Sequence, residues 1–576
     1  MATEQGQVQE YDLIVIGSGA AGLSAAVTAA YHGLKVLVLE KAPVIGGTTA
    51  WSGGWIWAPR NHLAAQQGIR YDYQDVETYL RNVVKDQFNP ERVSAFLHGA
   101  PQMVAFFHRH TALQFDSGLH IPDTYSLEEG AGTGGRSVIA KPYNGRKLGK
   151  WIRRLRKPLP ETTFHGLTIQ AGVDLKHFMN VTRSVGSFCY VAKRVSKHII
   201  DLALYRRGMQ LRNGLSLAAR LLRSALDLGV RFETNCRRVE LIQRDGQVRG
   251  VTFIDDCERP RICHAAKGAV LATGGFAHDK ERVDKLFPQG VEHKTLAVPT
   301  ATGDGLNMGI QAGGEVETRY PAAGSWCPVS LVPKPGQPDG VFPHIIDRGK
   351  PGIIGVLQDG RRFCNEGMGY YDYVKHLIET APQGQAAQSW LICDHTFQRR
   401  YGLGVARPAP LPVGRYIESG YLIKADSITE LAQKCGIDVQ GLEQTIQDWN
   451  SHAREGQDPQ FHRGETAYTR LQGDASHQPN PCVAPIERGP FYAVRVITGS
   501  FGTFAGLRSD GQARVLNTKG EAIPGLYAAG CDLASVMGGQ YPAGGINLGP
   551  ALTFGYLAAR NAAGVTDWEV DLRGKI

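Results

Sequence analysis

The sequence predicts an α/β protein: a discontinuous Rossmann-like dinucleotide-binding domain with an inserted α+β substrate domain. Three observations predict it. A buried strand, a glycine turn, a small-residue helix, a second strand and an acid follow in order over residues 11–40. Two further buried strands end in glycine at 268–275 and 523–530, far apart in the chain. Between them, at about 319–486, the pattern changes to Pro- and Gly-interrupted strands and short helices. The expected division is 1–318, 319–486 and 487–576, with the first and last parts forming one domain. A chain of 576 residues with 42% hydrophobic and 20% charged residues can bury cores of this number and size.

The first unit is the most specific. After the strand Tyr11–Ile16, Gly17 allows the tight turn, Gly19 lets backbone approach a pyrophosphate, and Gly22 lets helix and strand come close. The helix opening at Ala20 and Ala21 aims free N–H groups and a positive dipole end at phosphate. Glu40, ending the second strand 23 residues after Gly17, is placed to accept from ribose hydroxyls. A second loop of N–H and hydroxyl donors follows: Gly47, Thr48, Thr49, Ser52, Gly53 and Gly54. Nicotinamide-binding units usually continue into ordinary helix here. The extra loop suits a cofactor that stays bound and is also held near a flavin ring.

Further along, 76–109 reads as helical, and an apolar-periodic helix at 218–228 precedes strands near 230–234, 238–244 and 248–253. Thr273 and Gly274 end a buried strand, and Asp304 opens a helix. Near the C-terminus, Gly530 ends another strand and 548–560 reads as a small-residue helix with Pro550 in its first turn. The turn before that helix contains Tyr541 and Gly545. A phenol and a bare backbone N–H converging on one carbonyl oxygen form an oxyanion hole, which acidifies the α-carbon of a ketone. A helix start at Asn547 and Leu548 aims its dipole at the edge of a flavin that gains negative charge on reduction.

Composition excludes other classes. Ten scattered cysteines with no CxxC and no Cys/His cluster point to reduced thiols in the cytoplasm and to no metal. No signal peptide is read in the polar first ten residues, and no run is long enough to span a bilayer. The net charge of +9 resides in one segment: residues 146–213 hold 15 Lys/Arg and 3 Asp/Glu, leaving the rest slightly acidic. In it Val191, Val195, Ile199 and Leu202 share one helical face, with Lys193, Arg194 and Lys197 elsewhere. Two readings stand open, a solvated helix packed on its own protein and a peripheral contact with an anionic membrane. No motif supports nucleic-acid binding.

Gly17–Gly22, Glu40-Lys41 and the loop 46–54 resemble the FAD-binding fold of the fumarate reductase and 3-ketosteroid dehydrogenase superfamily. Relatives with covalent FAD carry a His before this loop; Gly47 stands there, so the resemblance implies dissociable FAD. It implies cofactor contacts from Lys41, Val239, Thr273, Gly274, Asp304 and Gly530 as well. The block Ala534–Pro550, with its Tyr-Pro-x-x-Gly, resembles 3-ketosteroid Δ1-dehydrogenases. That resemblance implies that Tyr541 and the Gly545 N–H bind the ketone, Tyr370 takes the C2 proton, and the C1 hydride goes to flavin N5. Tyr125, in a Pro-Asp-x-Tyr context, would assist Tyr370. Cys531 and Ala543 depart from the family's usual Asn and Gly. The expected substrate is a small apolar, steroid-like ketone, and a quinone or another acceptor removes the electrons. Oxidation of the same ketosteroid at C4–C5 is an alternative. A fumarate-type reductase is another, disfavoured because 535–559 contains neither His nor Arg to clamp a dianion. A flavin electron-transfer subunit leaves the phenol-and-amide turn without a use.

Overall fold

The computed structural model describes residues 8–288, 291–381 and 386–566; the polar N-terminal start and the last ten residues lie outside these. Its first sheet has six strands in the order Arg514–Leu516, Ala522–Ala528, Ala269–Leu271, Leu13–Ile16, Val36–Glu40 and Arg231–Thr234. All neighbours are parallel except the first pair. Central strands buried on both faces read as continuous apolar runs, as Leu-Ile-Val-Ile at 13–16 does. The strand expected over 11–16 is split at Asp12. Gln9–Tyr11 joins a four-stranded sheet with Pro260–Ala265, Gln247–Ile254 and Arg237–Arg244, while Asp12 accepts from the Lys35 N–H at 2.7 Å.

Helices Ala20–Tyr31 and Leu548–Ala562 lie against each other because both are built of small residues. A Cβ on Gly555 would stand 2.4 Å from the Ala21 carbonyl, and Ser24 Oγ donates to the Leu552 carbonyl at 2.6 Å. The region 76–109 forms two helices, Tyr73–Val84 and Pro90–His110; Asn89 caps the second, accepting from Arg92 N at 3.0 Å, with Pro90 in its first turn.

The second sheet has seven strands around Phe491–Thr503, which pairs with Gly324–Val332, Gln388–Cys393, His293–Thr295 and Ile423–Ala425. It therefore draws on both sides of the 319 and 486 boundaries suggested by the sequence pattern. The composition shift marks where Pro and Gly become frequent, and an apolar 13-residue strand carries no mark of the sheet it joins.

The structure shows which face of the basic segment's helix turns inward. Helix Val185–Tyr205 buries Ser187, Arg194, His198 and Asp201, and its ion pairs Arg194–Asp174 and Arg146–Asp201 hold it to the protein. Val191, Val195 and Leu202 are only half-buried, Ile199 points outward, and Arg194 points in. The outward apolar residues are Val185, Phe188, Ile199, Ile200 and Leu204, from 53% to 81% exposed. Among the described residues no helix is long and apolar enough to cross a membrane.

Candidate active site

One cavity of about 2500 Å³ runs between the two sheets. Every cofactor residue singled out in the sequence lines it except Gly22. Gly22 instead holds the turn shut: a Cβ there would stand 2.0 Å from the Gly17 carbonyl. Gly17, at φ +109°, lies under the strand end at Ala272, where a Cβ would meet the carbonyl at 2.1 Å. Ser18 N donates to the buried Glu40 carboxylate at 3.1 Å, Ala42 N does so at 2.8 Å, and Ser18 Oγ donates to it as well. Thr49 Oγ1 takes the Ala20 N–H at 2.9 Å, so that donor serves the loop rather than a phosphate. Lys41 pairs with Asp304 at 2.8 Å and bridges strand and helix at the rim. A backbone-lined glycine cradle beside a fixed carboxylate, continuing into the donor loop 47–54, fits FAD.

The same cavity contains Tyr541, Gly545 and Tyr370. Gly545 has φ +102°, and a Cβ would stand 2.7 Å from Trp57 N, so only glycine fits against strand Trp55–Trp57. Its carbonyl accepts from Trp57 N at 3.1 Å and Gly549 N at 2.8 Å, while its N–H has no hydrogen-bonding partner among the described residues. Tyr370 begins helix Tyr370–Thr380, and its hydroxyl donates to the Tyr541 hydroxyl at 2.7 Å. Burial pushes both phenols up; the charge and hydrogen bonding of Tyr541 raise Tyr370 further, while the hydrogen bond with Tyr370 lowers Tyr541. Phenols and Cys327, not guanidinium groups, are the neighbours acting most strongly on the pair. Tyr371 lies elsewhere, with its hydroxyl on the Gly539 carbonyl at 2.7 Å.

Tyr125 is not brought to this pair. It does not line the cavity, and its hydroxyl donates to Asp372 at 2.8 Å. Burial, and after it the neighbouring Asp372 carboxylate, raise the Tyr125 phenol well above the usual range. Thr124, small and β-branched, lies over Gly369, the residue before Tyr370: a Cβ there would stand 2.8 Å from its side chain.

Two residues of the site were not found in the sequence. Ser325, 1% exposed on strand Gly324–Val332, accepts from Asn547 Nδ2 at 2.9 Å. Ser325 also lowers the Tyr541 phenol, against the larger effect of burial. With the Tyr370 hydroxyl donating to it, the Tyr541 hydroxyl keeps its own proton for another acceptor. Tyr468, on helix Ala467–Gln472, is a further phenol lining the cavity. A serine in an apolar strand and a tyrosine after a loop carry no local signal.

The cleft and phenol pair define a flavoprotein that works on a carbonyl compound, and comparisons with known proteins agree. The FAD binding domain family matches residues 12–548. The chain is 38% identical over 567 residues to 4-oxocyclohex-2-ene-1-carboxylate 5-dehydrogenase of Sinomonas cyclohexanicum, covering 98% of this chain and 95% of that one. It is 35% identical over 573 residues to 3-oxosteroid 1-dehydrogenase of Mycobacterium tuberculosis, covering 96% and 99%. Among solved structures it is similar to 3-ketosteroid delta1-dehydrogenase from Sterolibacterium denitrificans in complex with 1,4-androstadiene-3,17-dione. That likeness has TM-score 0.88 and 30% identity, with 97% of this chain and 100% of that one covered. The chain belongs to the FAD-dependent 3-ketosteroid Δ1-dehydrogenase family, an oxidoreductase family acting on CH–CH donors, and FAD is its cofactor.

Proposed function

We propose that the chain desaturates the C1–C2 bond of a 3-ketosteroid and that Tyr370, Tyr541 and Gly545 carry the proton chemistry. The observation that carries this reading is the 2.7 Å phenol pair beside an unpartnered glycine N–H. Tyr541 O–H and Gly545 N–H donate to the ketone oxygen and stabilise charge as it develops there. Both phenols are raised by burial, so a free phenolate is a costly base. A relay avoids it. The C2–H bond breaks as its proton passes to the Tyr370 oxygen, the Tyr370 proton passes to Tyr541, and the Tyr541 proton passes to the ketone oxygen. The product is a neutral enol, and no phenolate forms. FAD, when bound, supplies the acceptor for the hydride that leaves C1. The test is product analysis after anaerobic turnover of androst-4-ene-3,17-dione with an artificial acceptor. The 1,4-diene is expected; a product unsaturated elsewhere, or none, refutes the reading.

One observation favours a second substrate: the relative at 38% identity is named for a cyclohexenone carboxylate. Lys350 lines the cavity with its ammonium on the Gln472 and Gly473 carbonyls at 2.7 and 2.6 Å, and burial lowers it to about 8. It would be the cation for such an acid. Higher kcat/KM for 4-oxocyclohexanecarboxylate than for the steroid would select this reading, with the same ketone chemistry.

The outward apolar stripe of helix Val185–Tyr205 stands beside exposed Lys193 and Lys197, and its inner side borders the cavity through Ser187, Val191 and Val195. This helix is the proposed peripheral contact with an anionic membrane, from which an apolar substrate and a quinone acceptor would be drawn. Liposome co-sedimentation at low salt tests it, and Phe188→Asp together with Ile199→Asp should abolish the binding.

A further inference from the structure

The turn that offers the Gly545 N–H is held by its carbonyls. The Pro542 carbonyl accepts from Thr124 N at 2.9 Å and from the Tyr79 hydroxyl at 2.6 Å, and the Gly545 carbonyl accepts from Trp57 N and Gly549 N. Between them, the Gly544 carbonyl takes one donor among the described residues, the Ser137 hydroxyl at 3.2 Å. Ser137 is 2% exposed and begins strand Ser137–Ala140, the middle strand of a three-stranded sheet. Its register partner is Trp57, so two neighbouring strands grip two consecutive carbonyls. The Trp57 indole donates in turn to Asp123 at 3.0 Å, and the other oxygen of Asp123 accepts from Gly132 N at 2.8 Å and from the buried Arg136 guanidinium.

We propose that Ser137 is a positioning residue for the reaction: by holding the Gly544 carbonyl, it turns the Gly545 N–H toward the ketone. This rests on the reading above. A trans peptide is planar with its N–H opposite its C=O, so the Gly544 carbonyl and the Gly545 N–H move as one unit. Packing does not fix that unit on the Gly544 side, where a Cβ would meet nothing within 4 Å, whereas Gly545 sits tight against Trp57. A peptide between two glycines can turn over at little steric cost. Turned over, it would aim a carbonyl oxygen at the ketone oxygen, an acceptor where a donor is required. The Ser137 hydrogen bond favours the orientation with the N–H inward. It acts through the peptide, because Gly544 and Gly545 line the cavity and Ser137 does not.

The test uses the FAD-loaded enzyme and two variants of nearly equal volume that differ in the hydroxyl, Ser137→Thr and Ser137→Val. In Ser137→Val the C3 carbonyl stretch of bound 1,4-androstadiene-3,17-dione should lose about half of its displacement from the aqueous position. Its kcat for androst-4-ene-3,17-dione should fall about five- to ten-fold, with KM within about two-fold. Ser137→Thr should keep stretch and rate near wild type, and both variants should retain flavin. Equal stretches and rates in the two variants overturn the proposal, whether both match wild type or both are damaged by crowding of the strand. So does a fall in kcat with the stretch unmoved. Failure of the underlying reading looks different: the wild-type stretch would lie at its aqueous position, or Tyr541→Phe would leave it unmoved.

Discussion

The two ends of the cavity are built in opposite ways. The cofactor end is backbone: glycines at 17 and 22 and a carboxylate fixed by Ser18 and Ala42, all within one contiguous stretch of chain. The end proposed to hold the ketone is side chains from separate segments, Tyr541 and Tyr370, with Ser325 on Asn547, joined to one bare amide at Gly545. Backbone sites are defined by the absence of Cβ atoms and tolerate almost no addition. Side-chain sites lose chemistry one group at a time.

This contrast sets the order of expected effects. Gly17→Ala should abolish FAD retention, because its Cβ has no room beneath the Ala272 carbonyl; flavin absorbance after gel filtration reads this. Gly545→Ala should break the other end. It should retain flavin yet lose ketone turnover, and flavin loss in this variant would mean that the ends are not separable. Tyr541→Phe should slow flavin reduction about 10²–10³-fold with FAD affinity unchanged. Ser325→Ala, which removes a hydroxyl that lowers the Tyr541 phenol, should cost about three- to ten-fold; an unchanged rate would show that Ser325 does not act on the phenol.

The smallest effect concerns Asp372, where burial raises the carboxyl to about 6 and one oxygen has no partner. The folded state then holds a proton that the unfolded state, with its ordinary carboxyl near 4, releases. Stability is therefore fully present below pH about 4 and declines as pH rises to about 6, by on the order of 1–3 kcal/mol. Asp372→Asn keeps an acceptor for Tyr125 and should remove this slope, raising Tm at pH 8 but not at pH 4. An unchanged slope would show that the carboxyl titrates normally.

The cofactor end was legible because turn, helix and acid are neighbours in sequence and each glycine has a local steric reason. The C-terminal turn was legible for the same reason, since Tyr541, Gly545 and Asn547 fall within seven residues. Tyr370 and Tyr125 rested on resemblance alone. The structure brings the first to Tyr541 and leaves the second on Asp372, a partner 247 residues away. Helix Val185–Tyr205 was left open for a related reason. Periodicity gives a helix and its faces, but buried carboxylates at 174 and 201 decide which face turns in. Sheet membership of Phe491–Thr503 was likewise invisible, because strand pairing is a long-range property.

The hold on the ketone can be observed without turnover. Infrared difference spectra of 1,4-androstadiene-3,17-dione bound to the holoenzyme should show the C3 carbonyl stretch moved below its frequency in water, and Tyr541→Phe should return most of that shift. A C3 stretch at its aqueous position in the native protein, or a shift that survives loss of the phenol, would contradict a hydroxyl and an amide jointly polarising that oxygen.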